Sequence, residues 1–143
     1  MSQPSLPTLP CMCANLRRAS RALSQRYDEA LRPQGLTITQ FTIMQALSLT
    51  GEVSQGKLGE ILAMDSTTLT RTLNIMKRHG WIAVRRGTDR RERRLSLSPG
   101  GVAKFNGAQP AWKSAQTEVR AQLGETRWNH FTNLVNEVTL AAI

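Results

Sequence analysis

The chain has 143 residues, of which 40% are hydrophobic. That is enough for one cored domain with an added oligomerisation element. Its 19 Lys and Arg against 10 Asp and Glu give a net charge of +9 and a pI near 11.0, so a polyanion such as nucleic acid or a membrane surface is the expected partner. Aromatics at 5% are too few for the stacking platforms of single-strand binders.

The opening MSQPSLPTLP carries neither a basic residue nor an apolar run and is not a secretory signal. Its prolines predict a flexible arm over residues 1–10. Leu16, Ala19, Leu23, Tyr27 and Ala30 then recur at three- and four-residue spacing, the stripe of an amphipathic helix over 13–31, which Pro33 and Gly35 stop. The uncharged stretch from Pro33 to Gly51 is interrupted by polar residues and is not a membrane span.

Thr39 is the expected N-cap of a second helix that buries Phe41, Ile43, Met44 and Leu47 and ends at Gly51. Ser54 caps a short third helix carrying Leu58, Ile61 and Leu62. After a tight turn, Asp65 or Ser66 caps a fourth, with Leu69, Leu73 and Met76 buried and Gly80 as its stop. Two helices joined this closely form a helix-turn-helix. The free face of the second presents Ser66, Thr67, Thr70, Arg71 and Asn74, side chains of a size that reaches base edges and phosphates.

Past Gly80 the period changes to two. Ile82 and Val84 alternate with Ala83 and Arg85, then Leu95 and Leu97 with Arg94 and Ser96, around a polar loop at 87–92. The pattern predicts a winged helix: mainly α, with a small β-hairpin wing. Ser98-Pro99 opens a fifth helix with Val102, Phe105, Trp112, Ala115 and Val119 on its apolar stripe, kinked at Pro110. A sixth, from about Glu125, is expected to bury Trp128, Phe131, Leu134 and Val138.

Arg71, Lys77, Arg78, Arg85, Arg86, Arg90, Arg91, Arg93 and Arg94 face only Asp89 and Glu92 within the same segment. This places +7 of the total +9 on one helix and the wing. A solvated charged face usually interleaves acids at helical spacing, so phosphate is the better explanation. The two cysteines are too few for a disulfide framework, which fits a cytoplasmic protein. With His79 and His130 alone there is little for a metal or a catalytic triad to use. No phosphate-binding glycine loop occurs. Neither cofactor nor enzymatic activity is expected.

LTITQF, DSTTLTRTLNIMKRHGWI and TDRRERRLSLSPGG, read together, resemble the MarR (multiple antibiotic resistance regulator) family. The most specific element is the joint order of Thr70-Arg71, Gly80, Asp89-x-Arg91 and Leu97-Ser98-Pro99-x-Gly101. The resemblance implies a homodimeric regulator of transcription, usually a repressor, on a pseudo-palindromic operator in double-stranded DNA. Residues 36–98 would be the DNA-binding lobe, with 11–35 and 99–143 forming N- and C-terminal dimerisation helices. By position, Ser66, Thr67, Thr68 and Arg71 would contact the major groove and Arg91 the adjacent minor groove. Asp89 would orient the wing by pairing with Arg71 or Arg91, or else serve as an ordinary turn residue. Arg90, Arg93 and Arg94 read as phosphate contacts.

The two ends also argue for a dimer by themselves, since their amphipathic helices exceed what one winged helix needs and suit a two-fold layer. An intramolecular core is the alternative. Family members often bind a small aromatic or phenolic effector, and others respond through cysteine oxidation. Arg17, Tyr27, Met44 and Trp112 are candidates for a pocket, each equally suited to core or surface. Cys11 and Cys13, beside Arg17 and Arg18 at a helix start, are candidates for cross-linking two subunits, for a soft metal or arsenite, or for passive packing. Effector or cysteine chemistry would act by changing the separation of the two lobes. Two other readings are a sequence-indifferent architectural or RNA-binding protein and a module that docks an acidic protein.

Overall fold

The computed structural model describes residues 5–143, so residues 1–4 of the expected arm lie outside the described residues. Among the described residues, six helices and three short strands follow one another as α1 (Met12–Leu31), a 3₁₀ turn (Arg32–Gln34), α2 (Ile38–Thr50), β1 (Val53–Ser54), α3 (Gln55–Leu62), α4 (Ser66–Arg78), β2 (Ile82–Arg86), β3 (Arg93–Leu97), α5 (Pro99–Leu123) and α6 (Glu125–Ala142). The predicted mainly helical winged architecture is the one found. Among the described residues, no helix is long and apolar enough to cross a membrane.

Caps set most boundaries. Ser54, Asp65 and Ser98 each accept the backbone N–H three residues on, opening α3, α4 and α5. The cap of α2 is Thr37, not Thr39. Thr37 accepts from the Gln40 N–H while the Gln40 side chain accepts from the Thr37 N–H, a reciprocal box that a Gln or Glu at the third helical position completes. Asp28 ties this start to α1 by accepting the Ile38 N–H at 2.7 Å. Gly80, at φ +77°, turns the chain out of α4 in the left-handed conformation glycine adopts without strain.

The sheet has the order β1-β3-β2 and is antiparallel throughout. Sequence reasoning missed β1 because two residues carry no period. Ile82 pairs with Leu97 and Val84 with Leu95, as a hairpin closed at 87–92 requires. Leu95 is fully buried.

The core lies among α2, α3, α4, the sheet and the first half of α5. Phe41, Ile43, Met44, Leu47, Leu58, Leu69, Leu73 and Met76 are essentially inaccessible. Phe41 meets Phe105 and Trp112 of α5 at ring-centroid distances of 5.1 and 5.5 Å. Met44 and Trp112 are therefore packing residues.

Several predicted core positions are corrected. Ile61 is 47% exposed, because α3 ends one residue later at Leu62 and packs mainly through Leu58. Val102 is 43% exposed. The α5 stripe keeps the expected Phe105 and Ala115 but begins at Gly101 and includes Ala108, all four buried. Pro110 lies inside α5, which spans Pro99–Leu123. No residue of α6 is buried within the chain.

Gly101 explains the Leu97-Ser98-Pro99-x-Gly101 motif. A Cβ there would lie 2.1 Å from the Trp81 carbonyl oxygen and 3.0 Å from its carbon, so α5 rests backbone to backbone on the start of β2. Ser98 completes the joint. Its N–H donates to the Trp81 carbonyl at 3.0 Å and its hydroxyl to the Gly80 carbonyl at 2.5 Å. The Trp81 ring stacks on His79 at 4.4 Å with Lys104 Nζ 5.7 Å away, a packed junction of α4, β2 and α5.

Candidate nucleic-acid interface

The buried stripe of α4 leaves Ser66, Thr67, Thr70, Arg71 and Asn74 outward, and these five line one shallow surface depression. Thr68 has a different setting. Its hydroxyl donates to Asp65 Oδ2 at 2.7 Å and its N–H to Asp65 Oδ1 at 2.8 Å, so its polar groups complete the helix start. Thr70 accepts from Gln55 Nε2 at 3.0 Å, which connects the first residue of α3 to the exposed face of α4.

The bonds from Thr68 hold the Asp65 carboxyl below the usual range by favouring its charged form. The sign follows. This stability is fully present above the ordinary carboxylate value of about 4 and is lost as pH falls through the lowered folded value. Asp65→Asn caps nearly as well but does not titrate. Its urea midpoint should therefore decline less steeply than the wild type's below about pH 4. Parallel acid limbs would show that the Asp65 charge contributes nothing.

On the wing, Arg90 and Arg91 stand at the loop and Arg93 opens β3. All three are exposed and, like Arg71 and Arg86, enter no ion pair among the described residues. Arg94 departs from its expected role as a phosphate contact. Its Nη1 donates to Glu92 Oε1 at 2.8 Å and its Nε to Glu52 Oε1 at 3.0 Å. Arg85 is likewise held by Glu52. These bonds, with Arg85 first and Arg94 second, depress the Glu52 carboxyl.

Asp89 meets no guanidinium. Its Oδ1 accepts the Arg91 N–H at 3.1 Å and its carbonyl the Glu92 N–H at 3.0 Å, so it is a turn residue that shapes the loop through the backbone. The expected ion pair with Arg71 or Arg91 is replaced by an Asx turn, and the wing is braced instead by Glu52. Sequence reasoning passed over Glu52. The hairpin register, which sets Arg85 directly opposite Arg94, was the signal that an acid must stand nearby.

The remaining candidates sit away from this surface. Cys11 and Cys13 are free and exposed at the start of α1, and the Cys11 side chain makes no cap hydrogen bond. No cluster of three metal-ligating side chains occurs among the described residues. Arg17 is exposed. Tyr27 lines a cleft of about 620 Å³ between α1, α5 and α6, with Leu23, Val119, Arg127, Trp128 and Phe131. Partial burial pushes the Tyr27 phenol up, and its hydroxyl donates to Gln116 Oε1.

Comparison with known proteins agrees with this geometry. Residues 36–92 match the MarR family model. An uncharacterised helix-turn-helix transcriptional regulator, YwoH of Bacillus subtilis, is 24% identical over 119 residues, covering 83% of this chain and 87% of its own length. The crystal structure of the M. tuberculosis transcriptional regulator MosR in complex with DNA is 39% identical, with a TM-score of 0.84 over 92% of this chain and 96% of that one. A second crystal structure of M. tuberculosis MosR gives 36% identity and a TM-score of 0.82, covering 93% of this chain and 96% of that one. Since the likeness spans the helix pair, the wing and the flanking helices alike, the chain belongs to the MarR family and is a DNA-binding transcriptional regulator rather than an enzyme.

Proposed function

We propose that the protein is a homodimeric repressor that binds a pseudo-palindromic operator in double-stranded DNA. Residues 36–98 serve as the DNA-binding lobe, and 11–35 with 99–143 as the dimerisation layer. The observation that carries this reading is that, among the described residues, Arg71 on the polar face of α4 and Arg90, Arg91 and Arg93 on the wing are exposed and enter no ion pair, while acids neutralise Arg85 and Arg94. MosR, solved with DNA, supports the same use of this surface.

Ser66, Thr67, Arg71 and Asn74 enter the major groove, and Thr70 does so while held by Gln55. Thr68 contributes its backbone position at the helix start. Arg91 reaches the adjacent minor groove, with Arg90 and Arg93 on phosphates. Asp89 sets the wing loop that aims Arg91.

The exposed apolar face of α6 pairs with a second copy, so that the two α4 helices meet successive major grooves about 34 Å apart. The cleft bounded by Tyr27, Arg127 and Trp128 has the size and the cation to suit a small aromatic or phenolic effector. Effector binding there, or modification of Cys11 and Cys13, releases the operator by altering the spacing of the lobes.

The test is a salt-series titration on DNA from the upstream region of the protein's own gene and on a shuffled duplex. A hundredfold or greater preference for one specific duplex, with two subunits bound, is the expected result. Equal affinity for these and for competing genomic fragments would favour the architectural alternative. Arg91→Ala should weaken specific binding by roughly tenfold to a hundredfold with fold and dimer intact. Unchanged affinity would remove Arg91 from the interface. Cys11→Ser with Cys13→Ser should abolish any peroxide-induced release, and persistence of release would assign that response elsewhere.

A further inference from the structure

The antiparallel register sets Arg85 directly opposite Arg94, and like charges so placed repel across the strands. Glu52, immediately before β1, closes between them. Its Oε2 accepts from Arg85 Nε at 2.6 Å, and its Oε1 accepts from Arg85 Nη2 at 2.5 Å and Arg94 Nε at 3.0 Å. Two parallel bonds to one guanidinium fix direction as well as distance. Pairs this exposed add little to stability, so a gain in folding energy does not account for the arrangement.

What the arrangement fixes is an angle. Glu52 continues through β1 into Ser54, the cap of α3, and into Gln55, whose side chain donates to Thr70 on α4 at 3.0 Å. One short segment thus holds the wing at one end and the exposed face of α4 at the other.

We propose that Glu52 is a positioning residue for DNA recognition. It keeps Arg85 and Arg94 off the phosphates and sets the wing against α4, lowering general attraction to DNA in favour of discrimination between sequences. The inference rests on the reading of α4 and the wing as the DNA-contacting surface. Its signature is a pair of opposite signs. A carboxylate acting only as a negative charge would weaken every duplex equally, and its removal would tighten every duplex equally. A carboxylate that positions the wing aids the matched duplex while weakening the rest.

The experiment uses the full chain and two duplexes: one selected by the wild-type protein from a random-sequence pool, and a shuffled duplex of the same composition. Both are titrated between about 50 and 200 mM salt. Glu52→Gln, close in shape, should bind the selected duplex about tenfold more weakly and the shuffled one severalfold more tightly. Its salt slope on the shuffled duplex should steepen by about 1, as Arg85 becomes free for phosphate while Arg94 keeps its bond to Glu92.

Arg85→Gln opens the same clasp without freeing Arg85 itself, and keeps the question answerable should Glu52→Gln fold poorly. It should weaken the selected duplex and leave the shuffled slope no shallower. A uniform gain on both duplexes for Glu52→Gln would overturn the proposal. So would a slope about 0.9 shallower for Arg85→Gln, which would make Arg85 a phosphate contact in its own right. If the pool yields no preferred duplex for the wild type, the underlying reading fails first and takes this one with it.

Discussion

Gly101→Ala should cost about 3 kcal/mol, near the upper end for overpacking a core, and lower the melting midpoint by roughly 10 °C at fixed protein concentration. The added Cβ would lie 2.1 Å from the Trp81 carbonyl oxygen, and the obstacle is backbone rather than a side chain that can rotate away. Relief requires α5 to lift from β2, which stretches the bonds of Ser98 to Trp81 and Gly80. Gly107→Ala, in the same helix with open space at its Cβ position, should instead stabilise by about 0.5 to 1 kcal/mol, because glycine is costly in a helix interior. Equal midpoints for the two variants would show that the close approach at Gly101 is not a constraint.

On the proposed homodimer, Leu134→Glu should separate the subunits while leaving the fold of each intact. Phe131, Leu134 and Val138 share one face of α6 and are 42%, 48% and 39% exposed within the chain, so a charge there disturbs little of the internal packing. Set against its own two-fold mate, the same charge is unpaired and repelled. Sedimentation should read 15.9 kDa for the variant and twice that for the wild type. Affinity for the operator should fall by a hundredfold or more, because the second lobe no longer binds intramolecularly. A variant that stays dimeric would move the interface off this face of α6.

The α4 helix was legible in the sequence because its signals are local. Asp65 bonds three residues ahead, Gly80 turns the chain immediately after the helix, and Leu69, Leu73 and Met76 repeat within the same turns. The error at Thr39 came from choosing a cap without its partner, since Gln40 makes a box only with Thr37. The stripe of α5 was read correctly at Phe105 and Ala115, but its start was placed at Val102 for a related reason. The buried residue there is Gly101, and a glycine gives no hydrophobic signal. Glu52 lay beyond local reading altogether, because its partners stand 33 and 42 residues away. Asp89 could be recognised as important for the wing, yet whether it paired with a guanidinium or a backbone N–H depended on loop geometry that no spacing rule contains.

The joint at Trp81 bears on how small a signal can be. Because Ser98 and Gly101 fasten the first turn of α5 to β2 and to the end of α4, the wing inherits any tilt of that helix. A helix of 25 residues is about 37 Å long. Tilting it by about 5° about its far end carries the near end roughly 3 Å, close to the 3.4 Å spacing of stacked bases. On the proposed dimeric reading, a few degrees at the α6 end would therefore suffice to shift each recognition helix by about one base pair.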